Sequence, residues 1–373
     1  MPLRLCQQMA PDFGTFERYN AICDTDSMSS MKNLLASLLN PIRKIVSQSP
    51  QLQKLIYETI NRQEFNNLYE HEKMLADTMR IETYKRAIDK HITADDVVLD
   101  LGTGTGILSF FAAKKRAKKV YAIDHSNFIE IAKKVAQANH LENIQFVQTN
   151  SRSFHSERQF DFIIHEQMGD YLFNEDMIAN LLDLRTRLLK PGGQILPGKF
   201  ELYIEPVDLH EEFNVPFIWE NDIYGIDFGF LENHYEVLDE FKSRNYRQEW
   251  IEAASVKEFL CEPEPALTFD LMTLNSEKEI PRSIRVEKTI TKQGMFDGFC
   301  LYFKAIFDGE ISLDTSPKST YTHWGNCMFR IESRACSEND KISYEFSLPN
   351  LLDIRTWSVT IDKNRKRNPP IQY

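Results

Sequence analysis

Between residues 96 and 197, short apolar segments alternate with segments of helical periodicity, and this alternation limits the possible folds more than any other feature. The apolar segments read DVVLDL, KVYAID, IQFVQT, FDFIIHE and QILP. The helical segments are GILSFFAAKKR, NFIEIAKKVAQANH and NEDMIANLLDLRTRLLK, the last with Asn174 as its expected N-cap and Glu175 and Asp176 in its first turn. Apolar strands that alternate with helices predict a parallel, doubly wound sheet covered on both faces.

The chain changes character after Pro197. Segments such as FELYIEPV, LTFDLMTL, GFCLYFKAIF and TWSVTIDK are short, alternating and rich in aromatic and β-branched residues, which favours a β-barrel or a β-sandwich. The acidic, aromatic stretch at about 208–260 is partly helical in pattern and is interpreted as an arm. We therefore predict a partly helical extension at 1–60, an α/β domain at 61–197 and a β-barrel-like domain at 198–373.

Composition and charge exclude several classes of protein. The net charge is −11, from 44 basic and 55 acidic residues, so basic partners are expected and direct nucleic-acid binding is not. No apolar run approaches the roughly 20 residues that span a bilayer, and the N-terminus lacks the apolar core of a secretion signal. The six cysteines are scattered without a C-x-x-C pair, which is typical of reduced thiols rather than of disulfides or zinc sites. We expect a cytoplasmic or nuclear protein without a membrane or metal site.

The segment VVLDLGTGTG places an acid, Asp100, and three glycines, Gly102, Gly104 and Gly106, at the turn that leaves the first strand. Glycines at such a turn let the backbone approach a ligand closely. The order G-x-G-x-G differs from the dinucleotide fingerprint, and no phosphate-binding lysine follows. The second strand ends in Asp124, where a carboxylate can accept hydrogen bonds from both hydroxyls of a ribose. Together these residues resemble the class I S-adenosylmethionine-dependent methyltransferases.

The stretch HEQMGDYLFNEDM contains two glutamates, Glu166 and Glu175, after the fourth strand. In a doubly wound fold the ligand lies outside the carboxyl ends of the strands, so both glutamates are expected at the mouth of the sheet. Two carboxylates are especially suited to hold a guanidinium, which is planar, cationic and pairs bidentately with carboxylate. They would also offset the approach of that cation to a positively charged sulfonium. A guanidinium is therefore the expected methyl acceptor.

The same stretch resembles the double-glutamate loop of the protein arginine methyltransferases, in which both glutamates grip the substrate arginine. The segment HEKMLADTMRIETY, within a stretch of helical pattern at about 61–90, is similar to the family's helix over the cofactor. LDTSPKSTYTHWGN resembles its threonine-histidine-tryptophan loop, and WENDIYGID the start of its dimerisation arm. The resemblance covers roughly residues 65–362. It implies an α/β fold, with a Rossmann-like doubly wound parallel sheet followed by a β-barrel-like domain that carries a helical dimerisation arm.

The resemblance also implies an S-adenosylmethionine-dependent protein arginine N-methyltransferase that acts on basic or Arg-Gly-rich proteins as a homodimer through the 208–260 arm. The sequence is most like the type I members of the family, which give mono- and asymmetric dimethylarginine. The residues assigned to catalysis are Glu166, Glu175, His323 and Asp77. Those assigned to the cofactor are His71, Met74, Arg80, Asp100, Gly102, Gly104, Gly106, Asp124, Ser151, Arg152 and Glu166. Those assigned to the substrate are Met177, Trp324 and Tyr171.

Some of these roles have a direct chemical basis. His71, Met74, Asp77 and Arg80 are three positions apart, so each is expected to adjoin the next along one helix ridge. Arg80 is expected to pair with the methionine carboxylate of the cofactor, and Asp77 with His323 across the two domains. For the tryptophan and the methionines among these residues, core packing is the alternative role.

The chain also departs from the family pattern. Gln167 follows the first glutamate, where the family usually has tryptophan, and Asp170 replaces a tyrosine that commonly lines the arginine channel. The tyrosine pair of the family's N-terminal cofactor-capping helix is not evident. Phe65 falls near one of its positions and Asn61 near the other. The segment TNSRSF lacks the usual acid that accepts from the adenine amino group, so Ser151, Arg152 or their backbone must serve. Two alternatives therefore stay open: a cofactor-binding pseudoenzyme or scaffold, and a methyltransferase with an acceptor other than arginine.

Overall fold

The computed structural model describes residues 67–233 and 246–362 of the chain. The described residues from 69 onward belong to one compact unit. Several positions named above lie outside the described residues: the extension at 1–60, Asn61, Phe65, Cys6 and Cys23.

The first part of the described chain forms a five-stranded sheet in the order β3-β2-β1-β4-β5, with all neighbouring strands parallel. The central strand β1 is buried at every position, as its apolar run requires. This arrangement confirms the predicted doubly wound α/β sheet. In chain order its elements are α1 (Leu68–Ala76), α2 (Thr78–His91), β1 (Val97–Leu101), α3 (Ile107–Lys114), β2 (Lys119–Asp124), α4 (Phe128–Ala138), β3 (Ile144–Gln148), β4 (Phe160–His165), α5 (Met177–Leu188) and β5 (Leu189–Leu196).

Two helix boundaries differ from the prediction. The stretch expected to form one helix contains two, because the Asp77 side chain caps α2 by accepting from the backbone N–H of Arg80 at 2.9 Å. Helix α5 begins at Met177, and its N-cap is Asp176 with a left-handed φ of 53°. The prediction of Asn174 as the N-cap, with two acids in the first turn, was therefore wrong.

Strand β5 begins earlier than the sequence indicates. Pro191, Gly192 and Gly193 lie between the predicted helical segment NEDMIANLLDLRTRLLK and the predicted strand QILP, but in the structure they lie inside the strand. The pairing of β5 with β4 shifts register there, and Gly192 has a φ of 82°. A bulge of this kind absorbs residues that would otherwise break a strand.

The second part of the described chain is antiparallel. A seven-stranded sheet has the order β10-β6-β13-β15-β9, with β11 also paired to β6 and β14 to β13, and a three-stranded sheet has the order β12-β16-β17. Phe299 contacts Tyr344 with ring centroids 4.5 Å apart, so the two sheets share one core. The strands are β6 (Lys199–Leu209), β7 (Asp222–Ile223), β8 (Ile226–Asp227), β9 (Arg247–Ile251), β10 (Val256–Phe259), β11 (Pro265–Asp270), β12 (Ser283–Thr289), β13 (Gly294–Ile306), β14 (Ser312–Asp314), β15 (Asn326–Cys336), β16 (Lys341–Ser347) and β17 (Ser358–Ile361).

The stretch at 208–260, predicted to be a helical arm, divides into different structures. Its described residues from 210 to 233 contain short 3-10 turns and the β7–β8 ladder, and no α-helix. Strands β9 and β10 pair with β15 and β6, so they belong to the seven-stranded sheet. The arm is therefore shorter than predicted at its C-terminal side. No helix of the described ranges has the length and apolar character needed to cross a membrane.

Candidate active site

The glycine turn connects β1 to α3. Gly102, Gly104 and Gly106 have φ angles of 74°, 51° and 95°, in the left-handed region that residues with a side chain rarely adopt. A Cβ atom on Gly106 would lie 2.4 Å from the ring of Phe110, so this glycine also permits the turn to pack on its helix. The turn therefore depends on glycine at all three positions.

Asp100, at the end of β1, is completely buried. Its Oδ2 accepts hydrogen bonds from the Ser109 hydroxyl at 2.6 Å, the Ser109 N–H at 3.0 Å and the Thr103 hydroxyl at 2.7 Å. Its Oδ1 has no hydrogen-bond partner among the described residues. Burial raises the pKa of Asp100 to about 6, although these hydrogen bonds oppose the rise. An unsatisfied buried acceptor beside the glycine turn fits a ligand that brings a cationic donor.

Two predicted cofactor residues adjoin the turn. Asp124, at the end of β2, accepts from the backbone N–H of Gly104 at 2.8 Å and from that of Ser126 at 2.7 Å. His71, in α1, packs on Phe128 with ring centroids 3.8 Å apart. Its ring lies 3.1 Å from the position that a Cβ on Gly104 would take. The structure thus brings these two residues to the same turn.

Asp77, in the break between α1 and α2, is paired with His323. Its Oδ2 contacts the His323 Nδ1 at 2.8 Å and accepts from the His323 backbone N–H at 2.8 Å. Burial favours a higher pKa of Asp77, but the hydrogen bonds from His323 and from the N–H of Arg80 outweigh it and lower the pKa. The predicted Asp77–His323 pair is present in the structure. The single helix ridge predicted for the residues from His71 to Arg80 is not formed, because the helix is interrupted at Asp77.

Arg80 links the α1–α2 segment to the end of β4. Its Nη2 donates to the Glu166 Oε2 at 2.9 Å, and its Nη1 donates to the Met74 carbonyl at 2.8 Å. Both members of the ion pair are largely buried, with side-chain exposures of 7% and 11%. An ion pair shielded from water in this way orients both groups more firmly than a surface pair does.

The glutamate loop is closed by a tight turn. The Leu172 N–H donates to the Gly169 carbonyl at 2.8 Å, and Leu172 has a φ of 80°. The indole N–H of Trp324 donates to the Met168 carbonyl at 2.9 Å, which attaches the loop to the histidine-tryptophan segment. Asp170, at the tip of this turn, is exposed.

The residues predicted to bind substrate lie in packed positions. The Tyr171 hydroxyl donates to the Leu352 carbonyl at 2.7 Å, so Tyr171 anchors the loop rather than facing a ligand, in disagreement with its predicted role. Trp324 is buried and contacts the Phe303 ring edge-on at 5.6 Å. Met177 is fully buried as the first residue of α5. For Trp324 and Met177 these contacts favour the alternative of core packing.

Glu175 lies just before α5 and is half-buried. Burial, and then the charges of Glu166 and Glu175, raise the pKa of the Tyr84 phenol well above its ordinary value, with Arg80 opposing. The Tyr84 hydroxyl donates to the His165 carbonyl at 2.8 Å, directly before the first glutamate, a contact that sequence reasoning missed.

The segment after β3 is directed towards α5. Ser151 is buried, and its carbonyl accepts from the Arg187 Nη2 at 3.1 Å. Arg152 extends its guanidinium to Asp176, with Nη2 and Oδ2 2.6 Å apart, and its Nε donates to the Asn180 Oδ1 at 3.3 Å. Arg152 therefore contacts the end of the glutamate loop, a position that its predicted cofactor role does not anticipate.

Gln167 and Asn180 are site neighbours that sequence reasoning did not connect. The Asn180 side-chain nitrogen donates to the Gln167 Oε1 at 3.5 Å. The Gln167 Cγ lies 3.9 Å from the position that a Cβ on Gly102 would take.

The cysteines of the described residues are free thiols: Cys261, Cys300, Cys327 and Cys336. Burial raises the pKa of Cys261 to about 12, which disfavours its reactive thiolate form. Within the described ranges, no three His, Cys, Asp or Glu residues gather as metal ligands.

Comparison with known proteins identifies this arrangement. Residues 98–193 match the family described as methyltransferase domain, and residues 199–366 match the arginine methyltransferase oligomerization subdomain. Protein arginine N-methyltransferase 6 of Danio rerio is 30% identical over 288 residues, which cover 74% of this chain and 81% of that protein. Its namesake in Xenopus tropicalis is 30% identical over 290 residues, covering 74% and 82%.

A similar solved structure is the Trypanosoma brucei PRMT1 enzyme-prozyme heterotetrameric complex with AdoHcy. The TM-score is 0.67 and the identity 25%, with 80% of this chain and 94% of that chain covered. A methyltransferase domain and an arginine methyltransferase subdomain thus follow each other in one chain, each on the sheet described above. The chain belongs to the family of protein arginine N-methyltransferases and is an S-adenosylmethionine-dependent enzyme.

Proposed function

We propose that this enzyme transfers methyl groups to the guanidinium nitrogens of arginine in proteins, and that Glu166 and Glu175 clamp and polarise the acceptor. The observation that carries this proposal is the buried ion pair of Arg80 with Glu166, at the carboxyl end of β4. In this ion pair Glu166, the proposed clamp residue, contacts Arg80, which is proposed to hold the carboxylate of the methyl donor. A guanidinium bound there would therefore lie next to the donor.

The proposed cofactor site uses groups around the glycine turn. Asp100 offers its unsatisfied Oδ1 to a cationic amino group, and Asp124 offers its carboxylate to ribose hydroxyls. The remaining proposed contacts come from the three glycines, Ser151 and the α1–α2 segment, with Arg80 for the carboxylate. When bound, S-adenosylmethionine supplies an electrophilic methyl group on a positively charged sulfonium.

The glutamates would act on the acceptor through charge and orientation. Two carboxylates hold the guanidinium plane and draw its positive charge to one side, which leaves another nitrogen with its lone pair towards the methyl group. Their negative charge also offsets the repulsion between guanidinium and sulfonium. His323 is held through its Nδ1 by Asp77, which leaves Nε2 as the nitrogen for receiving a proton. Asp77 and His323 are therefore proposed to position the site and assist proton release.

The proposed products are mono- and asymmetric dimethylarginine. Met74, which is half-buried in α1, is proposed to limit the space around the methylated nitrogen. Met177 packs in the core at the start of α5, so its proposed effect on the products is indirect. A methionine side chain is bulky enough to exclude the geometry of symmetric dimethylation and flexible enough to adapt to that of asymmetric dimethylation. Mass spectrometry with fragmentation of the modified arginine distinguishes asymmetric from symmetric dimethylation.

The proposed partners are basic or Arg-Gly-rich proteins and a second copy of the chain. The net charge of −11 favours basic substrates. Between residues 213 and 230 several large apolar side chains are exposed, as is common at protein interfaces: Phe213, Val215, Ile218, Ile223, Tyr224, Ile226 and Phe230. A homodimer through this arm, a domain boundary near Pro197 and a cytoplasmic or nuclear location complete the proposal.

One assay separates this function from its alternatives. The protein is incubated with labelled S-adenosylmethionine and an Arg-Gly-rich peptide, in parallel with the same peptide carrying Lys at every Arg. Label on the arginine peptide alone is expected. Label on both peptides would indicate another acceptor. Label on neither, with cofactor binding retained, would indicate the pseudoenzyme, a reading favoured by the exposed Asp170 in place of a channel tyrosine.

The variant Glu166→Gln tests the clamp itself. Glutamine keeps an oxygen that accepts from Arg80 but removes the charge, so cofactor binding should change little while transfer falls at least a hundredfold. The matched control is Glu157→Gln, at an exposed glutamate between β3 and β4, which should transfer like the wild type. Wild-type turnover by Glu166→Gln would exclude the clamp.

A further inference from the structure

A network of polar contacts joins the segments that follow two strands of the parallel sheet, β3 and β4. Arg152, after β3, contacts Asp176 at 2.6 Å and Asn180 at 3.3 Å. Asn180 donates in turn to the side chain of Gln167, after β4, at 3.5 Å. Gln167 lies against Gly102 of the turn after β1. The segments that carry the proposed cofactor and acceptor groups are thereby linked through Arg152.

Two residues of this network are sequence neighbours of the two glutamates. Gln167 directly follows Glu166, and Asp176 directly follows Glu175. A side chain that is held in place restricts the backbone of its own residue and therefore the direction of the neighbouring side chain. Arg152, bonded to Asp176 and through Asn180 to Gln167, thus restrains both ends of the glutamate loop.

Asp176 has an unusual backbone and an unusual use of its carboxylate. Its φ of 53° is left-handed, which a residue with a side chain adopts only at a cost in energy. It occupies the N-cap of α5, yet its side chain makes no capping bond to the described helix. An aspartate at this position ordinarily binds the free N–H groups of the first turn. Here the carboxylate contacts Arg152 instead, and that contact helps to hold the turn that directs Glu175.

The segment from which Arg152 extends is itself anchored. The Arg152 backbone N–H donates to the Asn150 Oδ1 at 2.9 Å. The guanidinium of Arg187, in α5, donates to the carbonyls of Ser151 at 3.1 Å and Phe154 at 2.8 Å. Arg152 therefore extends from a segment that is attached to α5.

We propose that Arg152 is a positioning residue that sets the placement of Glu166 and Glu175 relative to each other and to the segment after β3. The inference rests on the proposed clamp function of the two glutamates. Arg152 is partly exposed, so its ion pair contributes little to folding and acts mainly on the geometry of the loop. A guanidinium also has no acceptor for the amino group of adenine, so Arg152 serves the glutamate loop instead.

Steady-state kinetics test this role. The variants Arg152→Gln and Asp176→Asn are expected to lower kcat about tenfold and to leave the KM for S-adenosylmethionine within about threefold. The double variant should be no slower than either single one, because both remove the same contact. Arg152→Lys should be intermediate, since lysine keeps a charge for Asp176 but loses the fork that also reaches Asn180. Arg158→Gln, at an exposed arginine between β3 and β4, is the control and should equal the wild type.

Amide hydrogen exchange gives a second readout that does not depend on transfer. Exchange should become faster in both 166–168 and 174–177 in Arg152→Gln and Asp176→Asn, and not in Arg158→Gln, while all variants keep the melting temperature within a few degrees. Unchanged exchange at 166–168, or a raised KM for the cofactor with normal kcat, would overturn the positioning role. A wild type inactive on arginine peptides, with the expected exchange pattern, would overturn the proposed function but retain the link between Arg152 and the loop.

Discussion

At the scale of single residues, Asp100 is a buried acid of which only one oxygen is satisfied within the described chain. Burial raises its pKa from 3.8 to about 6, so between these pH values the folded state holds a proton that the unfolded chain has lost. The free energy of unfolding therefore falls by about 3 kcal/mol as pH rises through this window, and stays at the lower value above it. A buried carboxylate of this kind destabilises the fold unless a cation pairs with it, and the amino group of the cofactor is the cation proposed here.

The affinity for S-adenosylmethionine should therefore depend on pH. Below pH 6 Asp100 binds a proton that competes with the cationic ligand, so the affinity should fall by up to about tenfold per pH unit. Calorimetric titrations at pH 7.5, 6 and 5 measure this dependence. In Asp100→Asn the affinity at pH 7.5 should be lower and its dependence on pH weaker. The same slope in both proteins would show that another group is responsible.

The Asp77–His323 pair is expected to contribute to the stability of the fold. In His323→Ala the buried Asp77 loses the imidazole and keeps two backbone N–H donors, so the free energy of unfolding should fall by about 1–3 kcal/mol. The lowered pKa of Asp77 stabilises the fold above the unfolded pKa near 3.8, and this contribution is lost as pH falls through the folded value. Acid unfolding of the variant should therefore begin at a higher pH.

Urea unfolding of His323→Ala between pH 7 and pH 3 measures both effects. His155→Ala, at an exposed histidine between β3 and β4, is the matched control and should stay within about 0.5 kcal/mol of the wild type. If the two variants unfold alike at every pH, the pair contributes nothing measurable to stability.

The sequence predicts which segments form strands and helices, but it predicts poorly the residues at which these elements begin and end. Periodicity locates β1 to β5 and the helices between them, because apolar spacing is a local property. The break at Asp77 is not local, since that side chain is bound to His323, 246 residues away. Nor is the late start of α5, because Asp176 turns its carboxylate to Arg152 instead of capping the helix. Both misplaced helix ends thus lie at the candidate site, where tertiary contacts override local preference.

The two antiparallel sheets share a buried ion pair. Lys288 of β12 contacts both carboxylate oxygens of Glu205 of β6, and the two side chains are 5% and 0% exposed. The Glu205 Oε1 also accepts from the Glu264 N–H at 2.9 Å. Burial raises the pKa of Glu205 although the adjacent Lys288 opposes the rise, because this carboxylate is removed from water.

Replacing only one member of the Lys288–Glu205 pair should therefore destabilise the fold far more than replacing both. Lys288→Met leaves Glu205 buried without its cation and should lower the free energy of unfolding by about 3–5 kcal/mol, whereas Lys288→Met with Glu205→Leu should recover most of the loss. Lys341→Met, in the exposed Lys341–Glu287 pair of the neighbouring strands β16 and β12, should cost at most about 1 kcal/mol. Denaturant unfolding of the three proteins measures these differences. Equal losses for Lys288→Met and Lys341→Met would contradict the argument.

At the scale of the whole molecule, the order of the two sheets and the chemistry at the glycine turn follow from the sequence, but the extent of the arm does not. Strands β9 and β10 were assigned to the arm because their sequence is acidic and aromatic, yet they complete the seven-stranded sheet. Strand pairing depends on partners far along the chain, β15 for β9 and β6 for β10, which composition does not reveal. What stays apart from that sheet is the β7–β8 ladder and its apolar surface.

The proposed homodimer makes this surface testable. Ile223 and Ile226 face each other across the β7–β8 ladder and are exposed, so Ile223→Asp with Ile226→Asp places two charges on the proposed interface while touching little of the core. Light scattering should show a wild-type dimer and a monomeric variant, and turnover per chain should fall at least tenfold. Met272→Asp, at an exposed methionine after β11, should remain dimeric and active. A monomeric variant with full turnover would separate dimerisation from catalysis, and a variant that remains dimeric would place the interface elsewhere.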